Sequence, residues 1–232
     1  MFCLHLLNYA AFLSILNEMP EPPGEVPGLV ARAAAGDREA IAELLAHYRP
    51  RLRRMVALRL DPKLRGRVDA SDVIQEGYVD AMRRLEEYIR DPAVPFYIWL
   101  RFLVGQRVQE QHRRHLGTPG RDIGREVSLY RGSMPGASTG ALAARLLGKL
   151  TDPLQAAIRA ERKIRLQEAL NSMDPLDREI LVLRHYEQMT NGDAAAALGL
   201  SFKAASKRYA RALDRLQKIL AALLGEQSGA GA

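Results

Sequence analysis

Apolar residues recur along this chain at intervals of three and four, the spacing that lines one face of an α-helix. Leu29, Val30 and Ala33 form a first stripe and Ala40, Ile41, Leu44 and Leu45 a second, with Gly36-Asp37 between them reading as a helix break followed by a new N-cap. After Pro50, the positions Leu52, Met55, Val56, Leu58 and Leu60 predict another helix that stops near Asp61-Pro62, because proline cannot continue it. A further helix opens at Ala70 or Ser71, with Ser71 as its cap. It carries Ile74, Tyr78, Ala81, Leu85 and Tyr88 as a stripe facing a core. From Pro95, the residues Trp99, Leu100, Leu103 and Val104 predict a fourth long helix ending near Arg114. No strand-like alternation and no internal repeat interrupts this reading.

The pattern fails between 116 and 155. Seven of the 18 glycines lie from Gly117 to Gly148, with Pro119 and Pro135 among them, which is linker composition. A short helix over Ala141 to Leu150 is predicted inside it, without an identifiable packing partner. Helical periodicity returns from Gln155 to Leu224. Asp174 is placed to cap a helix whose first position is Pro175, and Ile180 to Leu183 form its apolar body. The expected fold is all-α: two helical domains joined by a flexible linker, with a helix-turn-helix in the second. The domains span 26–115 and 156–224, the linker 116–155, and the flanks 1–25 and 225–232 are expected to lie outside both.

Thr190 to Leu216 is the most informative stretch. Thr190 and Asp193 have capping-box spacing, Ala194 to Leu198 is a short helix, and Gly199-Leu200-Ser201 is a turn ending in a second cap. Ala195 is small where two helices must cross closely, Gly199 permits a positive φ, and Leu198, Leu200 and Ala205 supply a shared core. The following helix carries Lys203, Lys207, Arg208, Arg211, Arg215 and Lys218 against Asp214 alone. Ser206 and Lys207 sit near the end from which a recognition helix reaches base edges, while Arg208 and Arg211 can meet phosphates. A solvated basic face on an ordinary helical hairpin would explain the charge, but not the cap, glycine turn and second cap in this order.

Charge and composition agree. Lys and Arg total 34 against 27 Asp and Glu, a formal +7, which favours a polyanionic partner, nucleic acid ahead of a membrane surface. The one cysteine, Cys3, excludes an intrachain disulfide framework and a thiolate-built zinc site and suits a reducing, cytoplasmic setting. Phe2 to Leu16 is apolar. It lacks the basic flank and cleavage site of a signal peptide and falls short of the roughly 20 residues that span a bilayer. Met19 is the expected functional start, and no role is expected for Cys3.

The run Ala169-Leu170, Met173-Asp174-Pro175, Arg178 to Arg184 and the helix-turn-helix resembles region 4 of the sigma-70 family, in its extracytoplasmic-function (ECF) form that keeps only regions 2 and 4. The N-terminal lobe resembles the same family independently. Asp69-Ala70-Ser71-Asp72-Val73-Ile74-Gln75-Glu76 is similar to the region 2.2 signature, Phe96, Trp99-Leu100 and Arg113-Arg114 to regions 2.3 and 2.4, and Gly36-Asp37 with Ala40 and Leu44 to the opening of region 2.1. The resemblance covers about 27–115 and 160–220. It implies a transcription initiation factor that binds core RNA polymerase and recognises promoter DNA at -10 and -35 elements, with an anti-sigma factor as a candidate further partner.

By that resemblance Asp72, Gln75 and Glu76, which share a helix face with Val79, would dock the clamp helices of the polymerase's largest subunit. Lys203, Ser206, Lys207, Arg208 and Arg211 would contact the -35 element. Arg107, Gln111 and Arg114, a polar stripe on the fourth helix, would track the -10 element, although Gln106 and Glu110 stand where Asn and Asp are usual in the family. Trp99, among Phe96, Leu100, Phe102 and Leu103, reads as a core residue. Arg121, Arg125 and Arg131 of the linker are candidates for a polymerase channel.

Catalysis is not expected. His112 and His115 lack a completing ligand and are flanked by Arg113 and Arg114. Gly148-Lys149 lacks the rest of a phosphate-binding loop, and no nucleophile–base grouping is present. Neither a metal nor a cofactor is expected. The alternative function is a stand-alone helix-turn-helix regulator with a sensing or dimerising N-terminal lobe. A serine recombinase would need a strand-rich catalytic domain that this pattern lacks.

Overall fold

The computed structural model describes residues 26–64, 66–116, 135–148 and 156–225. Cys3, Met19, the linker arginines 121, 125 and 131 and the last seven residues lie outside them, and with them the expectations made there. Among the described residues there are nine α-helices and no strand. These are α1 (Val26–Ala34), α2 (Arg38–Arg59), α3 (Ala70–Arg90), α4 (Phe96–Leu116), α5 (Thr139–Gly148), α6 (Ala156–Ser172), α7 (Pro175–His185), α8 (Asn191–Leu198) and α9 (Phe202–Gly225), with a 3-10 turn at Pro62–Leu64.

Local chemistry accounts for most boundaries. Gly36 takes φ +86°, and the Asp37 carboxylate accepts from the backbone N–H groups of Glu39 at 2.9 Å and Ala40 at 3.2 Å, starting α2. The two helices expected on either side of Pro50 are one helix. Leu44, Tyr48, Leu52 and Met55 stay buried on a single stripe through it, so packing outweighs the one backbone donor that proline removes. The cap of α3 is Asp69 rather than Ser71. Its carboxylate accepts from the Ser71 N–H at 2.7 Å, and the negative charge also suits the helix N-terminus.

In the first lobe α3 crosses α4 closely. A Cβ on Gly77 would lie 2.5 Å from Val104 Cγ2 and 3.1 Å from its Cα, so only glycine fits at the crossing. Trp99 is buried and stacks on Tyr88 with ring centroids 4.6 Å apart, beside Phe96. In the second lobe Asp174 caps α7 with Pro175 in its first turn, and Arg178 Nη1 donates to the carbonyls of Leu170, Asn171 and Met173 at the end of α6. The core here is Leu166, Leu170, Ile180 to Leu183, Ala195, Ala205, Ala212 and Leu216.

Two features differ from expectation. Helix α5, for which no partner was predicted, buries Leu142, Ala143, Leu146 and Leu147 and packs along α6. The Ser138 N–H donates to the Leu58 carbonyl of α2 at 2.8 Å, tying the approach to α5 to the first lobe. The lobes are also in direct contact, because Tyr186 to Gln188, in the turn between α7 and α8, are gripped by arginines of α2 and α4.

Candidate polymerase and promoter surfaces

The candidate polymerase face lies on α3. Val73, Ile74, Ala81, Leu85 and Tyr88 turn into the lobe, which leaves Asp72 and Gln75 exposed and Glu76 half-buried on the other side. Val79, 49% exposed, and Met82, 47% exposed, continue the same face. Carboxylates therefore border an uncovered apolar centre, the composition of a helix-docking patch. Spacing identified Val79; Met82 was missed.

The candidate -35 face lies on α9. Thr190 and Asp193 form a reciprocal capping box, with the Asp193 N–H donating to Thr190 Oγ1 at 3.0 Å and the Thr190 N–H to the Asp193 carboxylate at 3.4 Å. Gly199 ends α8 in the left-handed region, at φ +61°, and Ser201 Oγ accepts from the Ala204 N–H at 3.2 Å to start α9. Ala205, Ala212, Leu216 and Leu220 seat the helix, so Lys203, Lys207 and Arg211 project from its exposed side. None of those three has an ion pair among the described residues.

The other two predicted residues of this set serve a different arrangement. Arg208 reaches back to Asp177 at 2.6 Å and Asp174 at 3.1 Å, joining α9 to the start of α7. Ser206 Oγ accepts from Asn191 Nδ2 at 3.0 Å, and the same amide donates to the Phe202 carbonyl at 3.1 Å. Phe202, at the first position of α9, is 65% exposed and was not singled out from sequence.

The candidate -10 stripe on α4 is only partly outward. Arg107 pairs with Asp80 at 2.5 Å and with Glu110 at 2.7 Å, and Glu110 also binds Arg114 at 3.1 Å. Asp80, Arg107, Glu110 and Arg113 border one cleft with Gln106. Gln111 is only 6% exposed, so the stripe is interrupted at its middle. His112 is a structural group: Nε2 accepts from the Asp61 N–H at 3.1 Å, and burial holds its pKa below the ordinary value. Among the described residues no group of three or more His, Cys, Asp or Glu could hold a metal ion, and no helix is long and apolar enough to cross a membrane.

Sequence reasoning missed the buried charges between the lobes. Arg59 and Arg101 occupy apolar runs, Leu58-Arg-Leu60 and Leu100-Arg-Phe102, and that placement was the available signal. Their side chains meet Glu179 of α7 and Glu187 of the following turn.

Comparisons with known proteins agree with both lobes. Residues 44–116 match Sigma-70 region 2 and residues 163–216 match Sigma-70, region 4. The chain is 30% identical over 208 residues to the ECF RNA polymerase sigma factor SigD of Mycobacterium tuberculosis, covering 88% of each protein. It is 30% identical over 192 residues to the RNA polymerase sigma factor CnrH of Cupriavidus metallidurans, covering 83% of this chain and 92% of the relative. The solved structure of CnrH in complex with the cytosolic domain of CnrY aligns over 84% of this chain and 96% of its own, at 26% identity and a TM-score of 0.49. Two regions in the family's order, on a helical scaffold whose second lobe is a capped helix-turn-helix, make this chain a member of the sigma-70 family of RNA polymerase sigma factors, of the extracytoplasmic-function type.

Proposed function

We propose that this sigma factor divides promoter recruitment between the two helical faces described above. Asp72, Gln75 and Glu76, with Val79 and Met82 beyond them, dock core RNA polymerase. Lys203, Lys207 and Arg211 of α9 engage the -35 element, with Ser206 beside them and Arg208 holding the helix in place. Arg107 and Arg114 of α4 meet the -10 element after exchanging their carboxylate partners for phosphate, and buried Gln111 supports that stretch from within. The observation that carries the reading is the trio of exposed, ion-pair-free basic side chains on a helix seated by a capping box and a left-handed glycine. The protein carries out no chemistry of its own. It acts by bringing a polymerase to a site, and it works in the compartment that holds the polymerase, the cytoplasm. An anti-sigma factor is a further partner class for the same two faces. The domain limits are those read from sequence, 26–115 and 156–224.

Pull-down of core polymerase followed by run-off transcription tests the division. Asp72→Arg and Glu76→Lys each abolish core binding by placing positive charge on the docking face, while Lys207→Ala keeps core binding and lowers promoter use about 10-fold or more, as expected for one specific contact of roughly 1–3 kcal/mol. Loss of both functions in Lys207→Ala would overturn the assignment of separate faces. A chain that binds promoter DNA without ever binding core enzyme would instead be the stand-alone regulator.

A further inference from the structure

Among the described residues, helix α9 leaves one large hydrophobic side chain in water. Phe202, at its first position, is 65% exposed, whereas Ala205, Ala212, Leu216 and Leu220 are buried in the lobe. Single apolar residues on a surface are ordinary. This one stands in the turn from which a recognition helix reaches base edges, on the helix that also carries the exposed Lys203, Lys207 and Arg211. None of those three cations has an ion pair among the described residues.

Two parallel rows of residues spaced four apart run along this part of α9. Lys203, Lys207 and Arg211 make a cationic row, and Phe202, Ser206 and Ala210 an uncharged one. Asn191, at the start of α8, fixes the uncharged row. Its Nδ2 donates to the Phe202 carbonyl at 3.1 Å and to Ser206 Oγ at 3.0 Å, so one amide ties the first turn of α9 to the preceding helix. Ser201 Oγ, accepting from the Ala204 N–H at 3.2 Å, closes the same turn. The ring therefore projects from a backbone already held in place, which lowers the cost of ordering it against a partner.

These rows restrict which bases can be read. In the major groove amino donors identify adenine and cytosine, a pair of acceptor atoms identifies guanine, and a methyl group identifies thymine. No carboxylate or carboxamide stands on either row to accept from an amino group, and Ser206 Oγ already accepts from Asn191. The cationic row is attracted by phosphates and by the acceptors of guanine. An uncharged ring is left with the thymine methyl, the apolar group that base edges offer in that groove. We propose, resting on the reading of α9 as the -35 helix, that Phe202 is a specificity-determining residue whose ring packs on the C5-methyl group of a thymine in the -35 element. The adjoining row of unpaired cations complements DNA, which favours this partner over a surface of the polymerase.

The test uses holoenzyme assembled from core polymerase and the full chain, titrated at one salt concentration against a promoter fragment that it selects from genomic DNA. In a set of such duplexes each thymine of the -35 element is replaced singly by deoxyuridine, which lacks only the methyl group. At one position the replacement lowers wild-type affinity about 4-fold, the equivalent of one buried methylene. Phe202→Ala binds the unmodified duplex about 4-fold more weakly than wild type and no longer distinguishes it from the deoxyuridine duplex. Core binding, helical circular dichroism and the dependence of affinity on salt stay as in wild type, because the variant loses no ionic contact. Wild-type holoenzyme indifferent to every such replacement, a penalty of the same size in Phe202→Ala, or a Phe202→Ala defect in core binding would each overturn the assignment, the last by making the polymerase the partner of the ring. Wild-type affinity unaffected by scrambling the whole -35 element would instead remove α9 as its reader.

Discussion

At the scale of single residues, the decisive distinction is between basic side chains that already have partners and those that do not. Arg208, Arg107 and Arg114 are held by carboxylates, Arg59 and Arg101 are buried on Glu187, and Lys203, Lys207 and Arg211 project from α9 without ion pairs. Glu187 shows how strongly a site can hold charge. Burial alone would raise its pKa, but the guanidinium groups of Arg101 and Arg59 and their hydrogen bonds outweigh that and hold it down at about 2, against an ordinary 4.5. A depressed carboxylate contributes stability that is complete above its unfolded value and disappears as pH falls through the folded one. Burial raises the neighbouring Tyr97 phenol, further from that window. The contribution of this carboxylate to folding stability is therefore complete from neutral pH to about 4.5 and is lost as pH drops toward 2. Chemical denaturation of the wild-type and Glu187→Gln chains across this range checks it: the wild-type advantage seen at neutral pH shrinks toward pH 2.

At the scale of elements, close approach and capping decide what each helix can present. The α3–α4 crossing depends on Gly77, so Gly77→Ala forces Val104 and its backbone to move and destabilises the first lobe by about 1–3 kcal/mol, despite alanine's better helix propensity. Chemical denaturation of the full chain measures it; an unchanged or raised midpoint would mean that the crossing adjusts freely. Helix α9 allows a second numerical expectation. Its sequence offers Lys203, Lys207, Arg208, Arg211, Arg215 and Lys218 as six phosphate partners, and six would reduce affinity on the order of a thousandfold between 50 and 200 mM salt. In the structure Arg208 pairs with Asp174 and Asp177, Arg215 approaches Asp177 at 3.8 Å and Lys218 pairs with Asp214 at 2.8 Å. Three free cations correspond to a fall of about 40-fold for the chain on a duplex carrying only a -35 element. A slope near six contacts would show that DNA displaces the internal carboxylates.

For the whole molecule, the charge division seen in sequence takes on a geometry. Asp69, Asp72, Glu76, Asp80, Glu86 and Glu87 make α3 and its cap acidic, whereas α9 is basic, so the two signs of charge stand on separate helices in separate lobes. What was legible beforehand was local. Gly36-Asp37, Asp174-Pro175, the Thr190 to Asp193 box and Gly199 specify helix ends through hydrogen bonds and φ angles reaching only a few residues, and the apolar stripes on α3 and α4 show which faces turn inward. Those signals were enough for the all-α class, the helix-turn-helix and the two candidate faces. Burial over a long range decided the rest. The stripe through Pro50 outweighed a local stop signal, α5 found its partner only once α6 was beside it, and Arg208 went to carboxylates 31 and 34 residues away. Glu187 meets Arg59 and Arg101 across 128 and 86 residues, a pairing that no periodicity encodes because it depends on which two lobes come to share a dry interface. The amino-acid order by itself determined what each helix is and which side of it is apolar. Only the tertiary structure determined which charges remain available to a partner, because availability depends on the neighbours that folding brings within reach.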